Sequence, residues 1–146
     1  MTSYITLINK LEAFCNNHYM VEKFGADFKE QMENFATKDE KYPIVFVVPV
    51  SSLSLENTVQ YSVEIYCFDI IQKDRANINN IISDTDLILN DLYLEFAWGD
   101  DLSVGIIGDP SRTPLNNDLL DYAAGHVMSV VFEVNNYTDC QIPFIS

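Results

Sequence analysis

Basic residues are scarce in this chain. Lys and Arg number 8 against 22 Asp and Glu, giving a net charge of −14 over 146 residues. Such a field opposes wrapping around nucleic-acid phosphate, which calls for clustered Lys and Arg, and it opposes docking on an anionic membrane surface. Cysteine and histidine are also few. Cys15, Cys67 and Cys140 lie far apart without a CxxC pair, and His18 and His126 are the only histidines. A structural zinc site draws on four closely arranged Cys and His ligands, so the expectation is no metal and no cofactor, with three reduced thiols. The start, Met-Thr-Ser-Tyr-Ile, shows no basic segment followed by an apolar one, and the expected setting is a cytoplasm. No apolar run approaches the roughly 18 residues of a membrane-spanning helix. The five glycines are dispersed, and neither GxxxxGK[ST] nor GxGxxG occurs to cradle a phosphate. What is abundant is core material. At 48% hydrophobic and 12% aromatic, the chain can fill the interior of one domain, expected over 1–146 with 135–146 as an extended tail.

The pattern of that material defines elements. Tyr4, Leu7, Ile8, Leu11, Phe14, Cys15 and His18 share one stripe of a first helix starting near Thr2 or Ser3. Residues 19–42 show no clean period. Ile44-Val45-Phe46-Val47-Val48 is a strand apolar on both faces, of which one can meet the chain's own core while the other needs a second layer or another subunit. Val45 and Val47 are therefore interface candidates. After a serine-rich turn at Ser51–Asn57, a strand from about Thr58 to Asp69 alternates until Tyr66 and Phe68 place rings on the polar face, which must then be covered. The main helix runs from about Asp74 or Asn77 to Ala97 and ends at Gly99, with Ile78, Ile81, Ile82, Thr85, Ile88, Leu89, Leu92 and Phe96 on one stripe. Leu87 and Leu94 point away from that stripe, seven residues apart, either as a second apolar contact or as harmless exposed leucines. Trp98 beside Gly99 reads as a helix-end anchor, with an interface role as the alternative. Asp101–Ile107 reads as a strand. A loop of about ten residues with Arg112, Pro114 and Asn116-Asn117-Asp118 offers a working surface, and a last strand starts after Gly125. The apolar end Ile142-Pro143-Phe144 docks on its own domain or on a neighbour. These elements specify an α+β fold, with a largely antiparallel sheet of four to five strands and two helices packed on one face.

Catalytic patterns are weak. Asp84, Asp86 and Glu95 match three positions of a calcium loop, but Ile88 and Leu89 stand where the loop needs a ligand and a glycine. Ser51, Ser52 and Ser54 have no neighbouring histidine and no G-x-S-x-G elbow. Cys15 and His18 belong to a buried stripe, and His126 falls in phase with Met128 and Val130. Nothing singles out two of the 22 acids as a hydrolytic pair. The chain is expected not to be an enzyme.

Several segments together carry a resemblance. They are Phe24-Gly25, the run Tyr42 to Pro49, YSVEIYCFDIIQKD from Tyr61 to Asp74, Ser83 to Leu92, Gly125-His126-Val127-Met128 and Cys140-Gln141-Ile142-Pro143. Over roughly residues 24–143 the chain resembles the small tail-terminator-like or neck and ring proteins of tailed bacteriophages, especially crAss-like and related phages of Bacteroidetes. It departs from them at His126, where an aromatic residue, usually tryptophan, is expected. The resemblance implies a tail-terminator-like α+β subunit in a homo-oligomeric ring of six or twelve copies, located in the virion neck or tail and assembled in the host cytoplasm. Such a ring caps or extends the tail tube, joins it to the portal side, touches portal, neck or tail proteins, and is at most non-specifically close to genome DNA in the channel. An acid-lined channel would let DNA slide without sticking. The expected interface residues are Leu87, Leu94, Val45, Val47, Tyr66, Phe68, Arg112, Ile142, Pro143 and Phe144. The alternative is a small acidic phage protein that binds a host protein as a nucleic-acid mimic.

Overall fold

Leu7, Ile8, Leu11 and Cys15 recur at helical spacing, and helix α1 (Tyr4–Asn17) buries all four. A computed structural model describes residues 3–39, 41–101, 103–116 and 123–135. After α1 come strand β1 (Lys23–Ala26), a 3-10 turn and helix α2 (Met32–Asp39), then the long hairpin β2 (Ile44–Ser54) and β3 (Thr58–Ile70). Helix α3 (Ile78–Trp98) follows, then β4 (Val104–Ile107), β5 (Arg112–Asn116) and β6 (Ala123–Asn135). The six strands form one mixed sheet in the order β1-β2-β3-β6-β4, with β5 pairing the first half of β6 while β4 pairs the second.

Helices α1 and α3 lie on one face of the sheet. Leu7, Leu11 and Cys15 of α1 and Ile88, Leu89 and Leu92 of α3 pack on Val45, Val47, Ile65, Cys67, Met128 and Phe132. Each such side chain, fully buried, contributes about 1.5–3 kcal/mol. The opposite face has its own cluster, in which Met32 and Ala36 of α2 cover Ile44, Phe46, Val48, Tyr66 and Phe68. The α+β class and the two helices on one face stand as expected, and three features correct the rest. The sheet has six strands rather than four or five. It is mixed, because β1 runs parallel to β2 with Lys23 opposite Ile44 and Ala26 opposite Val47. A third helix covers the other face, since a parallel neighbour needs a crossover and α2 is that crossover.

The segment 112–116, expected as loop, is edge strand β5, with Pro114 opposite His126. An edge tolerates proline because one side of the strand needs no amide donor. The hairpin reaches further than a turn at Ser51 suggests: β2 continues to Ser54 past a bulge between Pro49 and Ser51.

Candidate functional site

Helix α3 presents two faces with different chemistry. Its inner stripe, Ile81, Thr85, Ile88, Leu89 and Leu92, is buried. On the outer side Leu87 and Leu94 are each 46% exposed and Trp98 is 77% exposed. Spacings of seven and four residues put these three within about 40° of arc along about 16 Å of helix. Trp98 is thus no buried anchor at the helix end; its ring faces outward.

The loop after α1 presents another exposed apolar group, tied to α3 through His18. His18 donates its Nε2–H to Asp91 Oδ2 at 2.9 Å, a tautomer fixed by the Met20 amide donating to Nδ1 at 3.2 Å. Asp91 sits one turn beyond Leu87 and one before Leu94 on the helix. Tyr19 stacks on the His18 ring with a centroid separation of 5.4 Å and stands 86% exposed. Leu87, Leu94 and Trp98 compose an exposed apolar line on α3, flanked on one side by Asp84, Asp91 and Glu95, of which Asp91 is engaged by His18.

Beneath α3 lies a polar contact that holds β5 and β6 to the helix. Thr85 Oγ1 donates to Ile81 O at 2.7 Å and so accepts from His126 Nδ1 at 3.0 Å. Asp86 Oδ1 lies 3.8 Å from His126 Nε2 and accepts from Arg112 Nε at 2.7 Å. Arg112 is therefore an intramolecular tie between β5 and α3. Burial holds the His126 imidazole below its ordinary 6.5, the Asp86 carboxylate pulls it up, and the Arg112 guanidinium adds to the lowering. Because the unfolded chain then takes up that proton first, the stability contributed by neutral His126 is complete above about 6.5 and declines as pH falls through the window below it. Urea midpoints measured between pH 8 and pH 5 are expected to fall on the acid side, and His126→Asn is expected to flatten that decline; an equal slope in the variant removes His126 as its source.

The two described cysteines are both buried. Burial, with Glu12 nearby, pushes the Cys15 thiol up to about 12. Burial likewise raises Cys67, which is wholly enclosed. Both stay protonated and inert near neutral pH. Among the described residues no three His, Cys, Asp or Glu side chains are grouped to hold a metal ion. A groove of about 440 Å³ between α1 and the end of α3 is lined by Lys10, Phe14, Asn17, His18, Glu95, Phe96 and Asp101. Its cation is already engaged, as the Lys10 ammonium donates to the Asp101 carboxylate. That contact, with two donors from Ser103, holds the Asp101 carboxyl down at about 2.

The other interface candidates are placed as follows. Val45 and Val47 are 0% exposed, inside the core under α1 and α3. Tyr66 and Phe68 are covered by α2. The expectation that these four meet a neighbour is corrected: the second layer that the doubly apolar strand required comes from the chain itself. Ile142, Pro143 and Phe144 lie outside the described residues.

Two open sheet edges complete the candidate surface. Strand β1 pairs β2 only as far as Val47, and no described strand flanks β2 beyond it. Val50, Leu53 and Leu55 along this run are 59%, 56% and 43% exposed. The outer side of β4 also has no described partner strand, and Ile107 there is 43% exposed. Sequence reasoning singled out Leu87 and Leu94 but passed over Tyr19 and these edges. Val50, Leu53 and Leu55, scattered through a serine-rich segment, were the available signal for one of them.

The protein is thus an α+β protein with a mixed, helix-covered sheet. A comparison with models of known protein families finds no match, and a comparison with curated protein sequences finds none either. No described helix is long and apolar enough to cross a membrane.

Proposed function

We propose that this chain is a structural subunit that assembles with copies of itself, as a ring in the neck or tail of a tailed bacteriophage, capping or extending the tail tube and joining it to the portal side. The phage setting rests on the sequence resemblance. Self-assembly rests on one observation, the outer face of α3 with Leu87, Leu94 and Trp98 exposed in line. Single exposed leucines are ordinary, but a continuous apolar face on a well-formed helix marks a contact surface. Its occupant is a second copy of this chain. Between copies that each carry a charge of −14, contact is favourable only where charge is sparse, and the line of Leu87, Leu94 and Trp98 is itself uncharged, with Asp84, Asp91 and Glu95 along one flank.

Sedimentation or light scattering is expected to give a mass that is a multiple of the 16.7-kDa chain. Changing Leu87 and Leu94 together to Asp is expected to weaken assembly by about 2–4 kcal/mol, a thirtyfold effect or more, with an unchanged circular dichroism spectrum. Unchanged assembly of that double variant takes the α3 face out of the interface. A wild-type chain that stays monomeric at every concentration, and touches no copy of itself in the particle, overturns the reading. Its position in the virion is read by locating the chain in a reconstruction of the intact particle.

A further inference from the structure

The two open edges belong to the same end of the same sheet, and their registers match. Across β2, β3, β6 and β4 the rows read Ser51–Ser62–Val131–Ile107, then Ser52–Tyr61–Phe132–Ile106, then Leu53–Gln60–Glu133–Gly105, then Ser54–Val59–Val134–Val104. Both outer strands span the same four rows. All three pairings between them are antiparallel, so β2 and β4 run in opposite directions. An edge of one copy placed against the other edge of a second would run antiparallel to it and at the same height.

Resting on the self-assembly reading above, we infer that copies of this chain join edge to edge, the open run Ser51–Ser54 of β2 pairing with Val104–Ile107 of β4 in the next copy to continue one sheet between subunits. Sheet edges that stay solitary are guarded by lysines, inward charges, prolines or bulges. Here the run Val50-Ser51-Ser52-Leu53-Ser54-Leu55 carries no charge, and neither does Val104-Gly105-Ile106-Ile107, in a chain with 22 acids. The guards that do exist sit at the boundaries. Pro49 and its bulge close the lower end of the β2 run, and Pro114 lies in β5, outside the four matched rows. Exposed Val50, Leu53 and Leu55 on one edge and Ile107 on the other supply apolar contact beside the new backbone hydrogen bonds. Pairing β2 with β2 across a twofold axis would leave every β4 open. The head-to-tail arrangement satisfies both edges of every copy, and such heterologous contacts generate rings when the rotation closes.

Complementation of two edge variants tests this. Leu53→Glu disables the β2 edge and leaves β4 intact, whereas Ile107→Glu does the reverse; both side chains are exposed, so each variant is expected to fold. Each alone is expected to lose the edge contact, with assembly weakened about a hundredfold. Mixed together they are expected to regain one edge contact per pair of copies, because one intact β2 meets one intact β4 and neither remaining edge can extend. Dimerisation of the Ile107→Glu variant that Leu53→Glu abolishes, and that Leu87→Asp with Leu94→Asp does not, would overturn the inference in favour of twofold β2 pairing. Wild-type-like assembly of both variants would overturn it too, while leaving the α3-dependent reading in place. A wild-type chain that never assembles overturns both. Should Leu53→Glu fail to fold, Val50→Glu on the same edge takes its place.

Discussion

Gly125→Ala is expected to cost about 1–3 kcal/mol or more, a large share of the 5–15 kcal/mol that holds an ordinary domain together. Gly125 sits in β6 opposite Phe68 of β3 on one side and Leu115 of β5 on the other. A methyl group built on its backbone would stand 1.9 Å from the Cys67 carbonyl oxygen and 2.7 Å from the Phe68 Cα. Both obstacles are backbone, so no rotamer change relieves them. The strands must separate, and separation loosens the β3–β6 ladder at the row next to His126, whose bond to Thr85 ties the sheet to α3. Gly105 in β4 is the control. A Cβ there meets nothing within 4 Å, so Gly105→Ala is expected to leave stability unchanged or raise it by about 0.4–1 kcal/mol through the unfolded chain. Urea denaturation of the two variants side by side checks the contrast, and equal midpoints would show that the close approach at Gly125 is not what constrains it.

Much of the architecture was legible because it rests on long periodic runs. In α3 the apolar residues return at helical spacing over 21 residues, and in β3 and β6, strands of 13 residues each, they alternate over much of the length. Such repeats outlast local irregularity. The elements that sequence reasoning missed are short. Strand β1 has four residues, with only Gly25 buried, and α2 has eight, too few turns to establish a period. Strand β5 was hidden by Pro114, which reads as a turn residue until its edge position is known. The number of strands and the parallel pairing of β1 were lost with those short elements.

The candidate site was legible in part for a related reason. Leu87 and Leu94 stood out because the strong inner stripe of α3 defines what lies opposite to it. Val45, Val47, Tyr66 and Phe68 were misplaced at an interface because a side chain that requires cover looks the same in sequence whether its own chain or a neighbour provides it. The matched edges depend on which strands end up outermost, and strand order is a property of the whole sheet. That Tyr19 lies beside α3 follows from the bond between His18 and Asp91, 73 residues apart, which local pattern cannot reveal.

Phe46→Ala is expected to cost about 3–5 kcal/mol and to act mainly on one layer. Phe46 is 1% exposed, and its ring packs on Phe35 with a centroid separation of 5.3 Å. Phe35 in turn lies over Gly25, where an added Cβ would meet its ring at 2.5 Å, and the Lys23 ammonium stands 4.0 Å above that ring's centroid. The Lys23 ammonium also donates to the Phe35 carbonyl. Phe46 is thus the floor on which α2 and β1 close over the sheet. Removing the ring leaves a void that Met32 and Ala36, themselves buried, fill incompletely. Backbone amides of residues 32–39 are expected to lose hydrogen-exchange protection first, while those of α3, packed on the opposite face, keep theirs. A uniform loss across both helices would mean that the two faces unfold as one unit. With α2 loosened, Tyr66 and Phe68 would come into water, and the variant is expected to aggregate non-specifically as it warms. Assembly through the α3 face and the sheet edges, by contrast, needs neither Tyr66 nor Phe68, so below the unfolding transition the variant is expected to keep the wild-type assembly mass.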